Sequence, residues 1–192
     1  MQRSSPVMPS MVILNDKEIT RLCKEAGMIA PWVPQEHRPG VISYGVTSFG
    51  YDMRISNQWA TYHPGTLIDP KNELSTAIQP VHAEYYDIAP GAFVLARSHE
   101  VWRIPDDVLS IVVGKSTYAR CGLIVNCTPM EPGWMGTLTI ELHNASQHTI
   151  RVHAYEGLAQ AVFFRGERPK ITYKDKRGKY QGQTDVTPAL VK

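Results

Sequence analysis

Three stretches of this 192-residue chain carry side chains able to do chemistry. The first is Gly114-Lys115-Ser116-Thr117-Tyr118-Ala119-Arg120. It resembles the end of a phosphate-binding P-loop, but that motif needs a glycine five positions before Gly114, and Leu109 stands there. What remains is a polar loop behind an apolar strand. Lys115, Ser116, Thr117 and the amides around Gly114 can donate to phosphate oxygens, and Arg120 adds a planar fork. The second stretch, Thr137 to His143, alternates. Leu138, Ile140 and Leu142 share one face, while Thr137, Thr139, Glu141 and His143 share the other. A strand carboxylate on a polar face is ordinarily a solvated group. If that face lines a cleft, Glu141 is instead a general base, ionised at neutral pH and able to take a proton from water. The third stretch is the tail from Tyr173, with four basic residues among Lys174 to Lys179. Its composition suits a solvated, flexible end over 174–192, or an arm that orders over an anionic ligand.

Other chemistries lack their residues. The seven histidines form neither an H-E-x-x-H pair nor the H-x-E with P-C-x-x-C of zinc deaminases, and no G-x-S-x-G elbow occurs. Three cysteines without a C-x-x-C pair fit a reducing cytoplasm better than a disulfide framework. Lys and Arg total 20 against 18 Asp and Glu, a near balance that speaks against a nucleic-acid or anionic-membrane coat. No apolar run approaches the roughly 18 residues of a membrane span, and Pro9 and Ser10 interrupt the one N-terminal apolar stretch.

The elements that must position these residues are mostly strands. Residues 1–11 read as a disordered lead. Asn15-Asp16-Lys17-Glu18 then has capping-box spacing, and Ile19, Leu22, Cys23 and Ala26 mark one helical face before Gly27 stops it. From about residue 40, short apolar runs alternate with Pro-Gly turns. Strands are expected at 93–96, 108–113, 123–127, 137–143, 149–152 and 159–164. So many strands on so short a chain predict a single mainly β domain over 1–192, a sandwich or distorted barrel.

A resemblance sharpens this. Ser43-Tyr44-Gly45, Ser48-Phe49-Gly50-Tyr51-Asp52-Met53-Arg54, the block GKSTYARCGLIVNCTPMEPGWMGTLTIEL from Gly114 to Leu142, and KYQGQ from Lys179 to Gln183 are similar to the signature blocks of bacterial dCTP deaminases, in the same order. The resemblance implies the distorted barrel, of jelly-roll type, shared with trimeric dUTPases, and a homotrimer with sites between subunits. It implies deamination of dCTP to dUTP and ammonia without zinc, feeding dUMP and dTTP synthesis. Magnesium would accompany the triphosphate and dTTP would act as an inhibitor.

Carried over by position, the resemblance places nucleotide contacts on Lys115, Ser116, Thr117, Tyr118, Ala119 and Arg120. It places base contacts on Thr139, Ile140 and Glu141, and further contacts on Gln160, Tyr173, Lys179 and Gln183. Glu141 takes the general-base position, Ser116 and Arg120 hold the water and the tetrahedral centre, and the tail becomes a lid. Relatives that also cleave the triphosphate carry an aspartate ten positions before the glutamate, where this chain has Glu131. A bifunctional enzyme yielding dUMP and pyrophosphate is therefore the alternative, followed by a non-catalytic nucleotide-binding regulator.

Overall fold

The computed structural model describes residues 12–191, so the expected lead over 1–11 lies outside the described residues. A short strand β1 (Val12–Ile13) leads into helix α1 (Asp16–Ala26), whose first turn is capped by Asn15 Oδ1 accepting from Glu18 N at 3.1 Å. Glu18 does not reach back to complete the box. Its carboxylate binds Arg21 and Arg165 instead, and these hold it down to about 2. Arg165 ties the helix to the barrel. Ile19, Leu22 and Cys23 are buried, whereas Ala26 is exposed at the last turn, where Gly27 at φ 61° ends the helix.

The remaining strands are β2 (Ile29–Ala30), β3 (Gly45–Thr47), β4 (Gly50–Tyr62), β5 (Ile78–His82), β6 (Tyr85–Ile88), β7 (Phe93–Arg103), β8 (Val108–Gly114), β9 (Leu123–Asn126), β10 (Met135–Asn144), β11 (Ile150–His153) and β12 (Gly157–Arg165). A four-residue helix α2 (Ser116–Ala119) joins β8 to β9. Ten strands form one curled half-barrel sheet along the path β1-β12-β4-β7-β10-β9, with β8 on β12 and β5 on β4, while β6 and β11 pair separately. All pairings are antiparallel. The fold is thus mainly β, as the turn rhythm predicted. The six expected strands are present as β7 to β12, although β7 runs seven residues past its expected end to Arg103.

The polar content of β4 and of the second half of β7 explains why pattern reading missed them. In β4, Asp52, Arg54 and Ser56 are buried on one face and Tyr51, Met53 and Ile55 on the other. This strand pairs with β12 through its first half and with β7 and β5 through its second, the register shifting between Ile55 and Trp59. Both faces are covered, so the alternation of a half-exposed strand is absent. Glu100 on β7 is fully buried. Its carboxylate accepts from Arg54 Nε at 2.8 Å and Arg54 N at 3.1 Å. A second interior polar group, Ser98, repairs the ladder: its Oγ accepts from Leu138 N at 2.9 Å, where the β10 register slips between Thr137 and Thr139.

Candidate active site

Glu141 stands in the middle of β10, opposite Leu95 of β7 and Asn126 of β9. Its polar-face position opens into a cavity of about 690 Å³ rather than bulk solvent. Leu95, Leu138, Met130 and Trp134 make much of the wall, and Tyr62, Thr139, Glu131 and Gln183 add polar groups. Burial pushes the Glu141 carboxyl above the usual carboxylate range, against the lowering by its own backbone amide and by Asn126. Asn126 Nδ2 donates to Glu141 Oε2 at 3.2 Å. The neighbouring Cys127 thiol is pushed up by burial and then by Glu141, and so stays protonated.

The tail forms the cavity's outer wall. Tyr173, Tyr180, Gln183, Thr187, Pro188 and Ala189 all line it. Trp134 Nε1 donates to Tyr180 O at 3.0 Å, Tyr180 N donates to Tyr173 Oη at 3.1 Å, and Lys179 Nζ donates to Leu190 O at 2.7 Å. Gln183 is the main fastening. Its O accepts from Thr137 N at 2.9 Å, and its Nε2 donates to Thr137 O at 2.6 Å and Thr139 Oγ at 3.3 Å. Thr187 N donates to the same Thr139 hydroxyl at 3.2 Å. Gly136 makes this approach possible: it sits at φ 150°, and a Cβ there would lie 2.8 Å from Gln183 O. The composition that favours a solvated end therefore accompanies a segment bonded along β10. The bonds run mainly through backbone and amide groups, which polar composition does not reveal.

The other expected residues fall in a second group that contributes nothing to the cavity lining. Ser116, Thr117, Ala119 and Arg120 lie exposed on α2 and its C-terminal cap. Lys115, the N-cap residue, pairs with the buried Asp52 of β4. Gln160 on β12 sits opposite Asp52 and donates to Thr47 Oγ1 at 2.9 Å. Two expected residues point into the protein. Tyr118 is buried with its hydroxyl accepting from His153 N at 3.1 Å, and the Ile140 side chain is wholly in the core, so each offers a ligand only its backbone.

Glu131 also borders the cavity, on the turn before β10, where it pairs with Lys176 of the tail. Residues that sequence reading passed over are Tyr62, Asn126 and Tyr180. Asn126 was legible in principle, because Ile124 and Asn126 alternate outward against Leu123 and Val125. Tyr62 ends the unread β4, and Tyr180 enters only through the fold of the tail.

Comparisons with known proteins bear on the family and the fold. A dCTP deaminase-like family model matches residues 13–166. The dCTP deaminase of Chloroflexus aggregans is 46% identical over 179 residues, covering 92% of this chain and 96% of the relative. That of Herpetosiphon aurantiacus is 48% identical over 180 residues, covering 92% and 98%. Among solved structures, the 2'-deoxycytidine 5'-triphosphate deaminase from Agrobacterium tumefaciens superposes with a TM-score of 0.63 at 17% identity, over 81% of this chain and 49% of that one. This chain thus spans about half the length of that protein, and the likeness is one of fold. With sequence identity near one half over almost its whole length and a family match across the barrel, the chain belongs to the dCTP deaminase-like family.

Proposed function

We propose that this protein hydrolyses dCTP to dUTP and ammonia, with Glu141 as the general base. The carrying observation is a carboxylate on a barrel strand, half-buried in a cavity beside apolar walls and amide donors. Ionised Glu141 takes a proton from water as the oxygen bonds to cytosine C4. Glu141 delivers that proton to the ring nitrogen, where it stays. The second proton, from the new C4 hydroxyl, passes to the exocyclic amine as C4=O forms, the C4–N bond breaks, and ammonia leaves. Thr139 and the Ile140 backbone border the base, and Gln183 and Tyr173 close the cavity over it. Lys179 supplies positive charge from the tail.

Ser116 and Arg120 hold the water and the developing tetrahedral centre, with Lys115, Thr117, Tyr118, Ala119 and Gln160 framing the nucleotide side. Since this group is separate from the Glu141 cavity within one chain, the complete site is formed between neighbouring chains of a homotrimer. The exposed α2 lies between strands that carry Val113 and Ile124, apolar residues 48% and 53% exposed, which a neighbouring chain would cover.

Magnesium enters with the triphosphate. The two cavity carboxylates are already engaged, Glu131 by Lys176 and Glu141 by Asn126, and the described residues contain no group of three or more His, Cys, Asp or Glu side chains placed to hold a metal. Bound with the triphosphate, the ion would screen the phosphate charge. Glu131 does not serve as a second base, because its partner Lys176 and the flanking Pro129 and Pro132 fix it in the turn. Ammonia release from dCTP tests the reading: Glu141→Gln lowers it by about 10²-fold or more. A variant keeping more than about a tenth of the wild-type rate would remove Glu141 from the base role.

A further inference from the structure

We infer that Asn126 is a positioning residue for this reaction: set opposite Glu141 in the β9–β10 register, its amide fixes the direction of the carboxylate and favours its charged form. The inference rests on the reading of Glu141 as general base. The two cross-strand neighbours of Glu141 are unlike. Leu95 is buried and offers no polar atom, whereas Asn126 places Nδ2 3.2 Å from Oε2. Among the described residues it is the one side chain that donates a hydrogen bond to this carboxylate. An ionised carboxylate only accepts, so the nitrogen of the amide must face it. A glutamate has three side-chain torsions, and a fixed donor on one oxygen restricts them while leaving the other oxygen for water.

Other titratable groups approach Glu141 without performing this task. Tyr62 comes from β4, Cys127 from the segment after β9, and Glu131, paired with Lys176, from the turn before β10. Tyr173 and Tyr180 come from the tail, and His143 lies two residues along the same strand. Burial holds the Tyr62 phenol and the Cys127 thiol in their neutral forms, so neither sets a further negative charge beside the carboxylate, and among the described residues the hydrogen bond to it comes from Asn126.

The test uses the full chain with Asn126→Leu and Asn126→Asp, reading kcat and KM for dCTP against pH and the Glu141 carboxyl carbon by NMR. For Asn126→Leu, kcat falls about tenfold, KM stays within about twofold, and both the acid limb of kcat and the NMR midpoint rise on the order of one pH unit. Asn126→Asp, nearly isosteric, moves both midpoints further by adding a second negative charge, and it decides the matter if the leucine variant does not fold. Unmoved midpoints overturn the inference, even if kcat falls, because a merely structural role would leave the titration in place. If the wild type releases no ammonia, the proposed function falls, while the NMR midpoints still decide whether Asn126 holds the carboxylate.

Discussion

At the scale of the residue, Glu141, the proposed base, shows how an environment sets the charge of a carboxylate. Removing its carboxyl from water costs the charged form more than the charged form recovers from Asn126 and its own backbone amide, so its titration moves upward from the ordinary 4.5. A general base must be ionised, and activity is lost as pH falls through the folded value. The acid limb of kcat is therefore expected above 4.5, and a limb at or below that value would show that another group limits the rate. The same shift opposes stability. The folded chain binds this proton more tightly than the unfolded chain does, so the penalty is absent below the unfolded value and complete above the raised one. In Glu141→Gln the lost rate is accordingly not a sign of unfolding, since the amide relieves that penalty at neutral pH. Alternation alone placed Glu141 off the apolar layer. It did not distinguish a cavity from solvent, because the cavity's outer wall comes from residues about forty positions further along the chain.

At the scale of the element, the proposed lid role of the tail requires that it can come away from the barrel. It is held by Gln183 and Thr187 on Thr137 and Thr139, by Trp134 on Tyr180, and by the Lys176–Glu131 pair, while the barrel core beneath is complete without it. Ligand-closing segments are drawn from such low-stability contacts. Deleting the chain from Lys174 onward should raise KM for dCTP by at least about tenfold, with an unfolding temperature within roughly 4 °C of wild type, the shift of about 1 kcal/mol in a chain of this size. An unchanged KM would return the tail to a bystander.

Strand legibility followed burial. Strands β8 to β12 were readable because apolar residues recur on one face. Strand β4, and β7 beyond Ala96, were not, because Asp52, Arg54, Ser98 and Glu100 are buried polar groups satisfied by partners distant in sequence. A lone carboxylate at Glu100 would read as a solvent-facing strand end; Arg54, 46 residues away, together with the Tyr51 hydroxyl, makes it an interior residue.

At the scale of the whole molecule, the site residues fall into two groups on one chain, with Glu141, Thr139 and the tail at the cavity and α2 with Lys115 and Gln160 apart from it. The proposed homotrimer with shared sites would unite them, and mixing inactive chains tests this. Glu141→Gln and Arg120→Ala proteins, dissociated together and reassembled, should regain about a quarter of wild-type activity, since that fraction of interfaces pairs an intact Glu141 with an intact Arg120. Full inactivity of the mixed assembly would place both residues in a site within one chain. The central claim, deamination of the base with the triphosphate left whole, is tested most directly by nucleotide chromatography of a reaction of dCTP with magnesium, with ammonia measured in the same sample. The expected products are dUTP and ammonia in equal amounts, with no pyrophosphate and no loss of dUTP supplied directly; dUMP and pyrophosphate accumulating with the ammonia, or dCTP left unchanged, would contradict it.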